Sequence, residues 1–154
     1  MTKLSIPIKY GLLTTLGVIA WVLVTHSIFA PTSAIHTAGA MIWFNVLQFV
    51  MIYLGLKAKE REYGDKQDFK KGVKTGVAIS AVYGVSACVF FAIALAIVGT
   101  RLLVVEGGPI NEPATMVAAR AFVGLFATAL FLGLIYSTVI SFFLAKRSNE
   151  TEPD

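Results

Sequence analysis

Asn45 and Gln48 are the residues of this chain most out of place chemically. They lie three positions apart inside a long apolar run, so on a helix they share one face. An amide surrounded by hydrocarbon must find a partner, and two chemistries meet that need. One is hydrogen bonding between helices, worth about 0.6–2 kcal/mol per bond. The other is contact with a solute in a cavity. Interhelical bonding is the preferred expectation. His26 and His36 flank the segment "APTSA" and could face each other across a turn, to bind a metal or sense pH. With no carboxylate or cysteine nearby they make a weak ligand set, and no metal site is expected. The one cysteine, Cys88, lies in an apolar run and can build neither a disulfide nor a Cys-based metal site within a single chain.

Other chemistry is missing. No Asp, Glu or Lys occupies the centre of an apolar stretch, where ion-coupled pumps commonly place ionisable groups. The sequence holds no Gly-x-Ser-x-Gly, no His-Glu-x-x-His and no phosphate-cradling glycine loop. An enzyme is therefore not expected, and neither is a cofactor.

The elements that must position these residues follow from composition. The chain has 154 residues, of which 56% are hydrophobic and 14% charged. Its mean hydropathy is +0.76. So short a chain cannot hide that much apolar surface in one soluble core, so lipid must solvate the excess. Four stretches, near Tyr10–Phe29, Ile35–Leu56, Thr75–Gly99 and Ala121–Leu144, are long enough to cross a hydrocarbon core of about 30 Å. The expected fold class is all-α: an integral membrane protein with four transmembrane helices in an antiparallel bundle. Residues 1–147 form its single domain, and 148–154 are expected to be a short, disordered polar tail. "APTSA" suits a tight turn, and Pro113 marks a start for the last helix outside the bilayer, with Arg120 at the interface. A secretory signal cleaved after Ala34 is the rival reading of the N-terminus; the run from Tyr10 exceeds the ~7–15 residues of a usual signal core, so retention as a spanning helix is preferred.

Most of the charge lies in and beside "EREYGDKQDFKKGVKTG". Lys57, Lys59, Arg61, Lys66, Lys70, Lys71 and Lys74 outnumber the four acids between Lys57 and Lys74. The second stretch is expected to continue as helix through Arg61, stop at Gly64 and restart with Asp68 as N-cap, giving a charged helical hairpin. Positive residues favour the cytoplasmic side, which places this hairpin and both termini there. The net charge of +4 flanks apolar runs and forms no basic face among aromatics, so anionic lipid headgroups are the expected counter-charge and nucleic acid is not.

On the third stretch Gly72, Gly76, Ser80, Gly84, Cys88, Ala92 and Ala96 recur every four residues. Such small-residue spacing lets helix backbones approach closely. Ala129, Gly133, Ser137 and Ser141 make a shorter counterpart on the fourth, and the two stripes packing on each other is the simplest use. A leucine at Gly84 should then cost more than one at Val82 or Val85. Trp21, Trp43 and Tyr53 are expected to act as interfacial anchors or packing residues.

The run "YLGLKAKEREYGDKQDFKKGVKTGVAIS" resembles DUF4199, a family of bacterial membrane proteins known as a domain of unknown function. Gly55, Lys57, Phe69, Lys71, Lys74 and Gly76 match its Gly-x-Lys helix exit and its Ser-Phe-x-Lys-x-x-Lys-x-Gly helix entry, with Asp68 in place of the serine and Gly64 where a glycine pair is common. Lys9, Tyr10 and Gly11 match its Lys-Tyr-Gly start. The resemblance implies four spanning helices and a bacterial inner membrane location, and it brings no catalytic residue. Two function classes are consistent with these features. The first is an interaction or accessory protein acting by helix packing and its basic hairpin, as a homo-oligomer or with a membrane-protein partner. The alternative is an oligomeric passive transporter or channel whose path is lined by Asn45, Gln48 and hydroxyls such as Thr128.

Overall fold

Apolar residues on every side of a segment leave no wet face, and a helix that satisfies its own backbone is then the stable answer. In the computed structural model, which describes residues 5–28, 34–63, 68–98 and 113–150, all four apolar stretches are helical. They are α1 (Ile6–Ile28), α2 (Ala34–Tyr63), α3 (Phe69–Val98) and α4 (Ala114–Glu150). Each is long and apolar enough to cross a membrane. At 1.5 Å per residue the 30-residue α2 and α3 measure about 45 Å, more than the hydrocarbon core needs. The surplus of α2 carries Lys57, Lys59 and Arg61, and that of α3 carries Lys70, Lys71 and Lys74.

The helix starts follow local chemistry. Asp68 stands immediately before α3, and its carbonyl accepts the Gly72 amide at 2.9 Å. Pro113 stands immediately before α4, its carbonyl taking the Met116 amide at 2.9 Å; proline has no N–H to leave unpaired at a helix start. Gly64 and Lys66 lie outside the described residues.

Among the described residues α3 touches the three other helices, whereas α1 and α4 do not touch each other. Thus α2 and α3 meet across the short diagonal of the bundle, with α1 and α4 at opposite corners. The most extensive contact is between α3 and α4. Glycines set it: a Cβ on Gly76 would overlap the Ser137 side chain, one on Gly133 would overlap Ser80, and one on Gly84 would lie 2.9 Å from the Phe126 ring. A second close crossing joins α1 to α3, where a Cβ on Gly11 would meet Val82 at 2.7 Å. Val82 is therefore a packing residue of α3, and only Val85, 55% exposed, serves as a neutral comparison for Gly84.

The distribution of polarity inverts that of a water-soluble bundle. Thr14, Ser80, Ser137 and Ser141 are buried, while Ile42, Ile97, Val123 and Phe143 are among the large apolar side chains left exposed. Lipid tails are as apolar as leucine, so leucine gains little by turning inward; small residues gain close packing, and Thr14, Ser80 and Ser137 gain hydrogen-bond partners, whereas the Ser141 hydroxyl is buried without one. Two clusters make the interior: Ile52, Leu56, Ile79 and Ile140 toward the lysine-rich end, and Tyr83, Ala87 and Ala129 farther from it. Trp21 and Trp43 pack α1 on α2, their rings stacked with centroids 5.2 Å apart, and Trp43 Nε1 donates to the Gly17 carbonyl at 3.3 Å.

Candidate functional site

Gln48 lies close to the middle of the candidate membrane span of α2, Ala38–Glu62, and well inside its uncharged part, which ends at Leu56. Its side chain is only 4% exposed. The amide nitrogen donates to the Ala129 carbonyl of α4 at 2.8 Å and to the Ser80 hydroxyl of α3 at 3.2 Å. A backbone carbonyl can only accept, so it fixes which end of the amide turns toward α4. One side chain thus joins three helices at mid-depth. Gly133 makes this possible, because the space a Cβ would fill there is taken by Ser80, with Gln48 Nε2 3.3 Å away.

Asn45, one turn earlier, is half-buried. Its Nδ2 donates to the Met41 carbonyl in its own helix at 2.6 Å, and its Oδ1 accepts the Tyr136 hydroxyl of α4 at 2.6 Å. The Tyr136 ring also stands edge-on to Phe49, with centroids 5.6 Å apart. The shared face expected for Asn45 and Gln48 therefore points at α4, with both side chains engaged in interhelical hydrogen bonds. A further interhelical bond, between Thr15 and Ser86 at 2.5 Å, ties α1 to α3.

The same two amides border a cavity of about 530 Å³ between α2 and α4. Met41 and Phe44 form its α2 wall beyond Asn45 and Gln48, Tyr83 of α3 lines it from behind, and α4 lines it from Ala121 to Leu132. Thr128 belongs to this wall, as does Gly124, whose missing Cβ would meet nothing within 4 Å. Met41 is 64% exposed, so the cavity is open along the outer, lipid-facing side of the bundle.

The small-residue stripe of α3 is turned inward: Gly72, Gly76, Ser80 and Gly84 are all buried. Of the basic residues, Lys59 reaches from α2 to donate to Thr75 Oγ1 of α3 at 2.6 Å, and that hydroxyl donates in turn to the Lys71 carbonyl. The Lys57 ammonium sits 5.4 Å from the centre of the Tyr53 ring, and the Lys9 ammonium 5.8 Å from that of Tyr10, both as cation–π contacts. Arg61, Lys70, Lys71 and Lys74 are exposed. The side chains of His26 and His36 lie outside the described residues.

The sequence did not single out Tyr136, Tyr83 or Gly124. A tyrosine inside an apolar span carries a hydroxyl that must be satisfied, and that was the available signal for Tyr136. Nothing marks Gly124 as different from the packed glycines, since an empty position and a crowded one are spelled alike. Comparison of the chain with protein-family models, with curated proteins and with solved structures finds no match.

Proposed function

We propose that the chain is an integral membrane protein of the DUF4199 kind that works by association within the membrane, holding anionic headgroups or an acidic partner at its basic end. Charge placement carries this reading: no Asp, Glu, Lys or Arg occurs from Gly11 to Leu56, from Thr75 to Thr100 or from Ala121 to Ala145, while six described lysines and arginines gather where α2 ends and α3 begins. The bundle is antiparallel in this proposal, supported by the order of α3–α4 partners, in which Gly76, Ser80 and Gly84 meet Ser137, Gly133 and Ala129. A bacterial inner membrane, with the termini and the charged hairpin cytoplasmic, completes it. The apolar stretches carry no Asp, Glu, Lys or Arg of the kind that ion-coupled transport commonly uses, which favours association over transport.

Two measurements test the reading. In vesicles of mixed phosphatidylcholine and phosphatidylserine, Lys70→Gln and Lys74→Gln should each lower selectivity for spin-labelled phosphatidylserine by about fivefold at low salt, the equivalent of ~1 kcal/mol per basic residue near the surface. The effect should shrink as salt rises. Unchanged selectivity in the double variant rejects the proposed role of the basic end. For orientation, in a Cys88→Ser background a cysteine at Lys66 should resist an external, membrane-impermeant maleimide and one at Asn111 should react; the reverse pattern overturns the topology.

The cavity beside Asn45, Gln48 and Thr128 favours one second reading, an oligomeric passive transporter. Saturable solute uptake into vesicles, lost on Asn45→Ala with phosphatidylserine selectivity intact, would select it.

A further inference from the structure

Gln48 spends its amide nitrogen twice, on Ser80 and Ala129, and among the described residues no protein donor bonds its Oε1. An acceptor in a side chain only 4% exposed, at mid-depth in a bilayer, is costly to leave empty. Gln48 lines the cavity, which at about 530 Å³ falls in the size range of small-molecule sites. Met41, Phe44, Leu125 and Leu132 make much of the rest of the wall apolar, and Tyr83 and Thr128 add a hydroxyl each. Gly124 adds open volume where any larger residue would fill it.

We propose that this cavity binds a single-chain amphiphile with a hydroxyl head, entering sideways from the lipid, with its O–H donated to Gln48 Oε1 and its chain laid between α2 and α4. Each part of that ligand answers a feature of the site. The open Gln48 acceptor calls for a donor, which ethers and alkanes do not supply. The Asn45 amide already uses both of its ends, on Met41 and Tyr136, so it adds no second polar subsite, and the Thr128 hydroxyl of the same wall, which can donate or accept, is also served by a hydroxyl head. The apolar walls and their lipid-side opening suit a chain already dissolved in the membrane. This inference stands apart from the proposed role of the basic end, whose lysines do not line the cavity.

The test uses the full chain in phosphatidylcholine vesicles and a diazirine-bearing octanol as photolabel, with labelled residues located by mass spectrometry. Labelling should saturate and concentrate at Met41, Phe44 and Leu125. Decanol should compete at least tenfold better than decyl methyl ether, which can accept but not donate. Gly124→Leu should cut labelling at least tenfold while its thermal unfolding stays that of the wild type. Labelling that is spread over lipid-facing positions of all four helices and does not saturate would overturn the proposal. So would equal competition by the ether, which is read on the wild-type protein and does not depend on how any variant folds.

Discussion

Gly133→Leu should be among the most damaging single substitutions available in this bundle, lowering the thermal unfolding temperature in detergent well below that of any lipid-facing change. The first carbon added at Gly133 would already overlap the Ser80 side chain, which is fully buried, and would crowd Gln48 Nε2. Neither neighbour can step aside without giving up the hydrogen bond that joins α2 to α3, so α3 and α4 must separate. Overpacking of this kind costs about 1–3 kcal/mol, and loss of the attached hydrogen bonds adds to it. Gly76→Leu should behave similarly, because the added Cβ would overlap Ser137 Cβ and lie 3.3 Å from its Cα, part of the backbone. Gly84→Leu should be milder: its nearest neighbour is a carbon of the Phe126 ring at 2.9 Å, which can turn. Val85→Leu points at lipid and should stay within about 0.5 kcal/mol of the wild type. Circular dichroism melts of the four variants give the order directly. If Gly133→Leu melts with Val85→Leu, the close α3–α4 contact is absent from the protein in solution.

The four helices were legible because apolar length is written residue by residue, and a span of that length leaves the backbone no alternative in lipid. Asp68 and Pro113 were legible for the same local reason, each standing at a helix start whose chemistry it suits. The four-residue recurrence from Gly72 to Gly84 pointed to a helix seam, since spacing alone puts those residues on one side. Its partner was harder to read. Gly11 against Val82 is a second seam with no repeat to announce it, which is why Val82 resembled an ordinary lipid-facing valine. The amides at Asn45 and Gln48 could be placed on one face, but a face has no meaning until the neighbouring helix is known. Tyr136 and Ser80 are 91 and 32 residues away along the chain, and those pairings arise only from how the helices pack. The cavity was the least legible feature. It comes from a misfit between surfaces of α2 and α4, and a misfit leaves no residue type behind.

Gln48→Leu is the second substitution with a large expected effect, and its size separates a structural node from an idle amide. Leucine keeps most of the glutamine volume, so the change removes hydrogen bonding with little packing loss. Two bonds disappear, each worth about 0.6–2 kcal/mol in a membrane bundle, for a total of roughly 1–4 kcal/mol before any relaxation. The groups left behind soften the loss unequally. The Ala129 carbonyl lies inside α4 and keeps its place in the helical ladder, so it is not stranded. The Ser80 hydroxyl can swing back to its own helix, as Thr14 does toward Tyr10 and Ser86 toward Val82. Asn45→Leu removes one interhelical bond, to Tyr136, and one bond inside its own helix, so it should cost less than Gln48→Leu. A double-mutant cycle in mixed micelles isolates the shared term: Gln48→Leu and Ser80→Ala together should fall short of the sum of the single losses by about 0.6–2 kcal/mol. Strict additivity would mean that the bond between Gln48 and Ser80 contributes nothing to holding α2 on α3. A Gln48→Leu variant as stable as the wild type would remove the three-helix node altogether, leaving the buried amide to be explained by a ligand alone.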